Sequence, residues 1–571
     1  MTGDDTPEEA GSAGGRPKRH HWWLIGSNPI FRRYCCSRLR VRGAGVSIFL
    51  AVLLGGFFFA IFRLGALNRA GLSVEDAERV PLIPLFILQA FILFVLGTAQ
   101  VAGGMTAERD EGVIDYQRLI PMSPLAKVVG YLLGLPVREW VMFMATLPFT
   151  IWGLAKGGVE PVVWMRLYGV LLSSALLYHF TGLITGTVVR NRRWAFLTSI
   201  GLVLCLYTVV PQLAKIGLVT FKYLTIVPIF EESLPSLVPR RAGELVEMSQ
   251  RLFPTVKFFN LDFSEAWFTV FSQLGLMATF LRMLCRRWAK AESQLLGKVW
   301  ATAFFLWIQV LLLGTALPEI EPGNLFPSRG LSRIFPMVRE AAPEKGEAVA
   351  LAGIYGLFTL VLLYVFALMI TPTPERQQAG LRRAKKQGIR GLPRFGDPAT
   401  GFWWIALMAV AGGLAWYLFT RNIVESEWFP GQSVPKQVMG YFIGVLLALS
   451  LGYQALLEAK GMRTVFLAAI FIAALPLMVG SVLGAISDSW WPVSVWIIGL
   501  SPLSLPVYAS ASLLQIAELP PLVARAVPKA FYFWSMVAAI GGIWLAWSLW
   551  VSRRAMAAAA FDEPKEDADI R

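Results

Sequence analysis

The stretch TAERDEGVIDYQRLIPMSPLAKVVG, Thr106–Gly130, is a charged island between two apolar runs. Pro84–Gly104 precedes it, and an apolar stretch reaching Gly153 follows. Its first half carries both signs of charge on Glu108, Arg109, Asp110, Glu111, Asp115 and Arg118, interrupted by Ile114, Leu119, Ile120 and Leu125. Pro121 and Pro124 then bend the chain before it re-enters apolar sequence. A chain can do this between two membrane spans if it lies at the membrane surface and turns a polar face to water. An ordinary loop between helices would satisfy the charges, but it would lack the second, apolar half with its prolines.

The composition surrounding the island points the same way. The 571 residues are 56% apolar and 16% charged, and the mean hydropathy is +0.57. A soluble chain of this size carries about a quarter charged residues. A larger soluble core cannot absorb the deficit, because soluble cores split into domains instead of growing. About twelve windows reach the roughly 20 apolar residues that cross a bilayer. The net charge of +15 does not form a basic face for nucleic acid. Its residues cluster in short segments between apolar runs, which is the positive-inside pattern. Cys35, Cys36, Cys205 and Cys285 form no CxxC, and His20, His21 and His179 are too scattered for a metal cluster.

Taken in order, residues 1–21 read as a polar, disordered leader with no cleavable signal peptide. Residues 22–42 mix Arg32, Arg33, Arg38, Arg40 and Arg42 with Trp22, Trp23, Ile30, Phe31 and Leu39. Such a segment lies flat on the cytoplasmic membrane face or serves only as a topogenic flank. Twelve spans are expected. Six fall in a first unit, 43–296: about Ala44–Phe62, Pro84–Gly104, Val137–Ala155, Val163–Val188, Ala195–Leu213 and Ala266–Leu284. Arg138 and Glu139 would be costly at mid-membrane, so the third span is placed to start near Val137 with that pair at the inner surface. A buried pair on a transport path is the alternative.

RNRR at Arg190–Arg193 fixes one turn inside, and Ala214–Asp262 reads as an external loop with re-entrant or interfacial pieces. Two further spans follow within 297–370, Val299–Leu317 and Ala348–Ile370, around a Pro-rich external loop, Pro318–Glu347. The loop 371–401 is the most basic of the chain and is expected to be cytoplasmic. Within 402–554, Phe402–Phe419, Met439–Leu457, Val465–Ile486 and Phe531–Val551 complete the set. Residues 492–514 contain SPLSLP and read as an external re-entrant hairpin, with a thirteenth span under weak charge control as the alternative. Arg553 and Arg554 put the tail, 555–571, inside together with the N-terminus. A faint internal repeat would pair the charged turns Glu108–Gly130 and Glu458–Arg463.

The sequence holds no GxxxxGK[ST], HExxH or GxSxG, no carboxylates paired at glycosidase spacing and no ladder of intramembrane acids. It offers a surface to a cytoplasmic partner and no energy source of its own. The island resembles the cytoplasmic segment of ABC-2 type transporter permeases. The match runs through Glu108, Arg109, Glu111 and Gly112, then Asp115, Leu119, Pro121, Ser123, Pro124, Leu125 and Gly130, with Asn28-Pro29-Ile30 and Arg38 upstream. Val113 and Tyr131 stand where the family more often has Thr and Lys. The likeness covers roughly residues 25–290 and is looser beyond.

The resemblance implies an all-α polytopic fold of about 12 transmembrane helices in two six-helix ABC-2-like halves. Residues 106–130 would form the coupling helix, docked on a separate cytoplasmic ABC ATPase subunit through the island residues just named. ATP and Mg would then belong to that subunit, leaving this chain no cofactor, no metal and no enzymatic role. An exporter in a bacterial inner membrane is the function implied. Membrane lipid surrounds it, a homodimer or a second permease remains open, and no nucleic acid is involved. Two other classes compete. A lipid or glycan transferase could use Glu231, Glu232, Glu244, Glu247 and Asp262, and an ion-coupled transporter would need no ATPase.

Overall fold

Asn28 opens the first helix, α1 (Pro29–Arg38), in the computed structural model. Residues 23–68, 72–189, 191–239, 255–290, 293–320, 345–389, 391–393, 395–514 and 521–562 are described. The leader 1–21, Arg190, Glu244, Glu247, most of the Pro318–Glu347 loop and the last nine residues lie outside them. The Asn28 side chain accepts hydrogen bonds from the N–H groups of Ile30 (3.0 Å) and Phe31 (3.4 Å), and Pro29 needs no donor partner at the first helical position. Its amide also donates to the Ala126 carbonyl at 2.7 Å. The cap therefore also fastens α1 to the helix that follows the island.

The first span, α2 (Val41–Leu67), has 27 residues, about 40 Å of helix. Most of its apolar side chains face outward, as lipid-facing residues do. The second, α3 (Val74–Asp110), is continuous but contains a π-helical turn, Phe91–Gly97. His179 Nε2 lies 3.0 Å from the Leu93 carbonyl oxygen in that turn, and its N–H donates there. A Cβ on Gly97 would fall 2.5 Å from the same nitrogen, so only glycine admits the imidazole.

After the island come α4 (Val113–Leu119), α5 (Pro124–Gly134) and α6 (Val137–Lys156). The last two are bent by 51° at Leu135–Pro136, where the sequence places the start of the third span. Then follow α7 (Pro161–Val188), α8 (Arg192–Thr208) and α9 (Val227–Leu237). A two-stranded antiparallel hairpin, β1 (Thr255–Phe258) and β2 (Leu261–Ser264), precedes α10 (Glu265–Ala289). The expectation of an all-α fold misses this hairpin. Phe259 takes a positive φ of 52° at its turn and donates its N–H to the Gly314 carbonyl at 2.8 Å.

The second half comprises α11 (Lys298–Ala316), α12 (Lys345–Ile370), a basic helix α13 (Pro374–Lys386) and α14 (Phe402–Val424). Next are α15 (Gln437–Ala469) and α16 (Leu475–Ile486), then two nine-residue helices, α17 (Trp491–Gly499) and α18 (Leu505–Leu513), and finally α19 (Pro521–Asp562). At about 13 Å each, α17 and α18 are too short to cross a bilayer. Their break is closed by side chains. Ser501 Oγ donates to the Ala473 carbonyl, Ser504 Oγ to that of Ile498 and Tyr508 OH to that of Val495, all at 2.8 Å.

Among the described residues, ten helices are long and apolar enough to span a membrane, or eleven with α5 and α6 as one bent span. The expected twelve differs because Gln437–Ile486 is one helical run. Gly461 interrupts it, with φ 74° and ψ 169°, and dividing it there restores the separation read from the sequence. The buried apolar side chains form two clusters. One draws on residues between Ile30 and Trp288, and the other mostly on residues after Leu296 with a few from Leu218 to Met283. Ile184 and Phe280 pack against both.

The contact of α1 with α5 depends on two glycines one helical turn apart. A Cβ on Gly130 would meet Asn28 Oδ1 at 2.7 Å and Ile30 Cβ at 3.0 Å, and one on Gly134 would meet the Tyr34 ring at 2.8 Å. Gly169, in contrast, has open space around it. Gly130→Ala should therefore destabilise the fold by about 1–3 kcal/mol through overpacking. Gly169→Ala should be neutral or stabilise by up to about 1 kcal/mol from helix propensity. Thermal unfolding in detergent measures the difference.

Candidate functional site

The island is built from the end of α3 downward. Glu111 closes that helix, and Gly112 takes a left-handed φ of 72° that reverses the chain without a side-chain penalty. Helix α4 then has two faces. Ile114 and Gln117 are buried, three residues apart. Asp115, Tyr116 and Leu119 face outward, with Tyr116 69% and Leu119 81% exposed. Glu111, Gly112, Pro121 and Ser123 are exposed beside them, and Pro124 and Leu125 are half-buried. Ser123 Oγ caps α5 by accepting from the Ala126 N–H at 3.2 Å, with Pro124 at the first helical position.

The remaining charges hold this element in place. Arg109 Nη1 donates to the Gly186 carbonyl of α7 at 3.2 Å and pairs with Asp110 at 2.8 Å. Arg118 pairs with Asp115 and donates to the Arg287 carbonyl at the end of α10 (3.4 Å). Glu108 does not face solvent as a docking charge would. Its carboxylate accepts from Tyr34 OH and Tyr131 OH at 2.5 Å each, and from Arg33. Burial and the neighbouring carboxylate push the Tyr34 phenol well above its ordinary range, so it remains a donor. The structure thus brings Glu108 together with α1 and α5, and leaves Glu111, Asp115, Leu119, Pro121 and Ser123 on the outer face. The sequence reading missed Arg33, Tyr34 and Tyr131. The spacing Gly130-x-x-x-Gly134 was the available signal, because small residues at that interval let helices approach closely.

Arg138 and Glu139 pair at 2.9 Å, with Glu139 buried and Arg138 half-exposed, and Arg38 of α1 attracts the same carboxylate. Of the acids considered for a transferase, Glu244 and Glu247 lie outside the described residues. Glu231 and Asp262 are exposed. Glu232 pairs with Arg166 at 3.5 Å, while Lys222 pairs with Glu265 at 3.0 Å. Among the described residues no group of three His, Cys, Asp or Glu could hold a metal ion.

Burial first, and then Glu265, push the Glu232 carboxyl up to about 7. The folded state therefore holds this proton more tightly than the unfolded chain, whose carboxyl titrates near its ordinary value of 4.5. Its contribution to stability is full below that pH and is lost as pH rises through about 7. Glu232→Gln should flatten the decline in melting temperature across that window, as a pH series of thermal melts would record. The Glu108 clasp gives a second test. Tyr34→Phe and Tyr131→Phe should each cost about 1–3 kcal/mol, and their double mutant should be non-additive because both serve one carboxylate. No protein-family model, no curated protein and no solved structure matches this chain.

Proposed function

We propose that the chain is the transmembrane permease subunit of an ABC-2 type transporter, an exporter driven by a separate cytoplasmic ATPase that carries ATP and Mg. The observation that carries this reading is the two-faced helix α4. A short helix with an exposed tyrosine, an exposed leucine and an exposed acid, Asp115, follows the exposed Glu111 and stands on an anchored base. Exposed apolar groups rimmed by charge suit a groove on another protein. In this reading Tyr116 and Leu119 enter the groove, and the acids meet basic residues around it. Pro121 and the Ser123 cap stiffen the connection to α5.

Force applied to the island would reach four helices. Arg109 leads to α7, Arg118 leads to α10, and the Glu108 clasp leads to α1 and α5. The 51° bend makes α5 a lever at the foot of α6. Rigid movement of packed helices is a common way to switch access. The same reading takes the island, both termini and α13 as cytoplasmic. It divides Gln437–Ile486 at Gly461 to give twelve spans in two halves, and it places the protein in a bacterial inner membrane.

The test is recovery of an ATPase subunit with the full chain from detergent extracts. Tyr116→Ala combined with Leu119→Ala should weaken that association about tenfold or more, since buried anchors cost over 1 kcal/mol each when truncated. The melting temperature should stay unchanged, because both side chains are exposed. Undiminished recovery of the ATPase with the double variant, or labelling of an Asp115→Cys variant only from outside the cell, would overturn the proposal.

A further inference from the structure

Beside the island, a cleft of about 730 Å³ lies between the start of α5, the end of α10 and the start of α11. Leu125, Ala278 and Trp300 make its apolar part, and Arg282, Arg286 and Lys290 its cationic part. Arg282 and Arg286 lie one turn apart on one face of α10, and Lys290 caps its C-terminal end in extended backbone geometry. Ala278 and Ala289 on that face are exposed and small, which leaves room beside the charges. Arg286 is already committed: it pairs with Asp397 at 2.6 Å and donates to the Gln294 carbonyl at 3.2 Å. Arg282 and Lys290 are exposed and have no ion-pair partner among the described residues.

Arg282 stands eight residues before Lys290, about 12 Å further up the helix. An unpaired guanidinium at that depth is costly unless an anion or water reaches it. Trp300 walls the cleft and donates its indole N–H to Thr279 Oγ1 at 3.3 Å, the placement expected of an aromatic at the membrane interface. An apolar slot flanked by two free cations complements a molecule with a hydrocarbon body and a phosphate head.

We propose that this cleft binds an anionic phospholipid of the surrounding leaflet, its phosphate held between Arg282 and Lys290 and its acyl chain lying against Leu125, Ala278 and Trp300. Ser123, Pro124 and Leu125 form the opposing wall. A bound lipid therefore braces α5 against α10, and so steadies the base on which α4 stands. The inference does not depend on which partner α4 meets.

Native mass spectrometry of the purified full chain, offered phosphatidylglycerol or phosphatidylcholine, tests it. Wild type should retain phosphatidylglycerol preferentially, by about fivefold for each free basic residue, and should melt higher in its presence. Arg282→Gln with Lys290→Gln should abolish the preference, and Arg282→Lys should keep most of it. Arg42→Gln, an exposed basic residue elsewhere, should change nothing. Lys290→Gln alone, at an exposed helix end, gives the same readout with about half the loss should the double variant fold poorly. Full preference retained by the glutamine variants overturns the site. Equal stabilisation by millimolar inorganic phosphate in lipid-free detergent overturns the lipid assignment in favour of a free-anion site.

Discussion

A single carboxylate holds the foot of the first half together. Glu108 sits at the end of the second span and accepts hydrogen bonds from Tyr34 on α1 and Tyr131 on α5, with Arg33 as its counter-ion. A charge turned largely away from water is expensive unless its lone pairs are occupied and its sign is balanced. Removing any one donor leaves the others to carry that cost. Three elements separated by up to about a hundred residues must therefore arrive together. Gly130 and Gly134 let α1 approach closely enough for this to happen.

The second half repeats the device with different partners. Glu458, buried just before the Gly461 break, pairs with Arg553 of α19 and accepts from Gln377 of α13. In both cases a basic amphipathic helix lying before a span reaches the carboxylate that ends the next-but-one span. In both cases a glycine with positive φ then redirects the chain, Gly112 in left-handed helical geometry and Gly461 with an extended ψ of 169°. The turns differ in what they carry. The first is followed by an exposed helix and a proline-capped one, whereas after the second the chain continues directly as helix.

Much of this was legible from sequence. Long apolar windows mark helices because an unsatisfied backbone cannot sit in hydrocarbon, and the boundaries found at Val137, Phe402 and the SPLSLP break follow from that rule. The division of α4 into faces follows from the spacing of Ile114 against Tyr116 and Leu119. What escaped notice were the pairings between distant segments. Nothing local in ERDEG separates Glu108, which turns inward, from Glu111, which turns outward. The difference arises only when α1 folds back across α5. The hairpin Thr255–Ser264 was hidden for a similar reason: it is short, and its order comes from docking on Gly314.

The wide turn in α3 has a geometric consequence at the far end of that helix. A π turn accommodates one residue more than an α turn, and each residue advances an α-helix by about 100°. Everything below Phe91–Gly97 is therefore rotated by about that angle from where an uninterrupted helix would put it. Without the insertion, the azimuth now held by Glu108 would belong to a neighbouring residue, and the carboxylate would point away from both tyrosines. The imidazole lodged at Gly97 thus sets, from a distance of three helical turns, which side chain reaches the tyrosine pair.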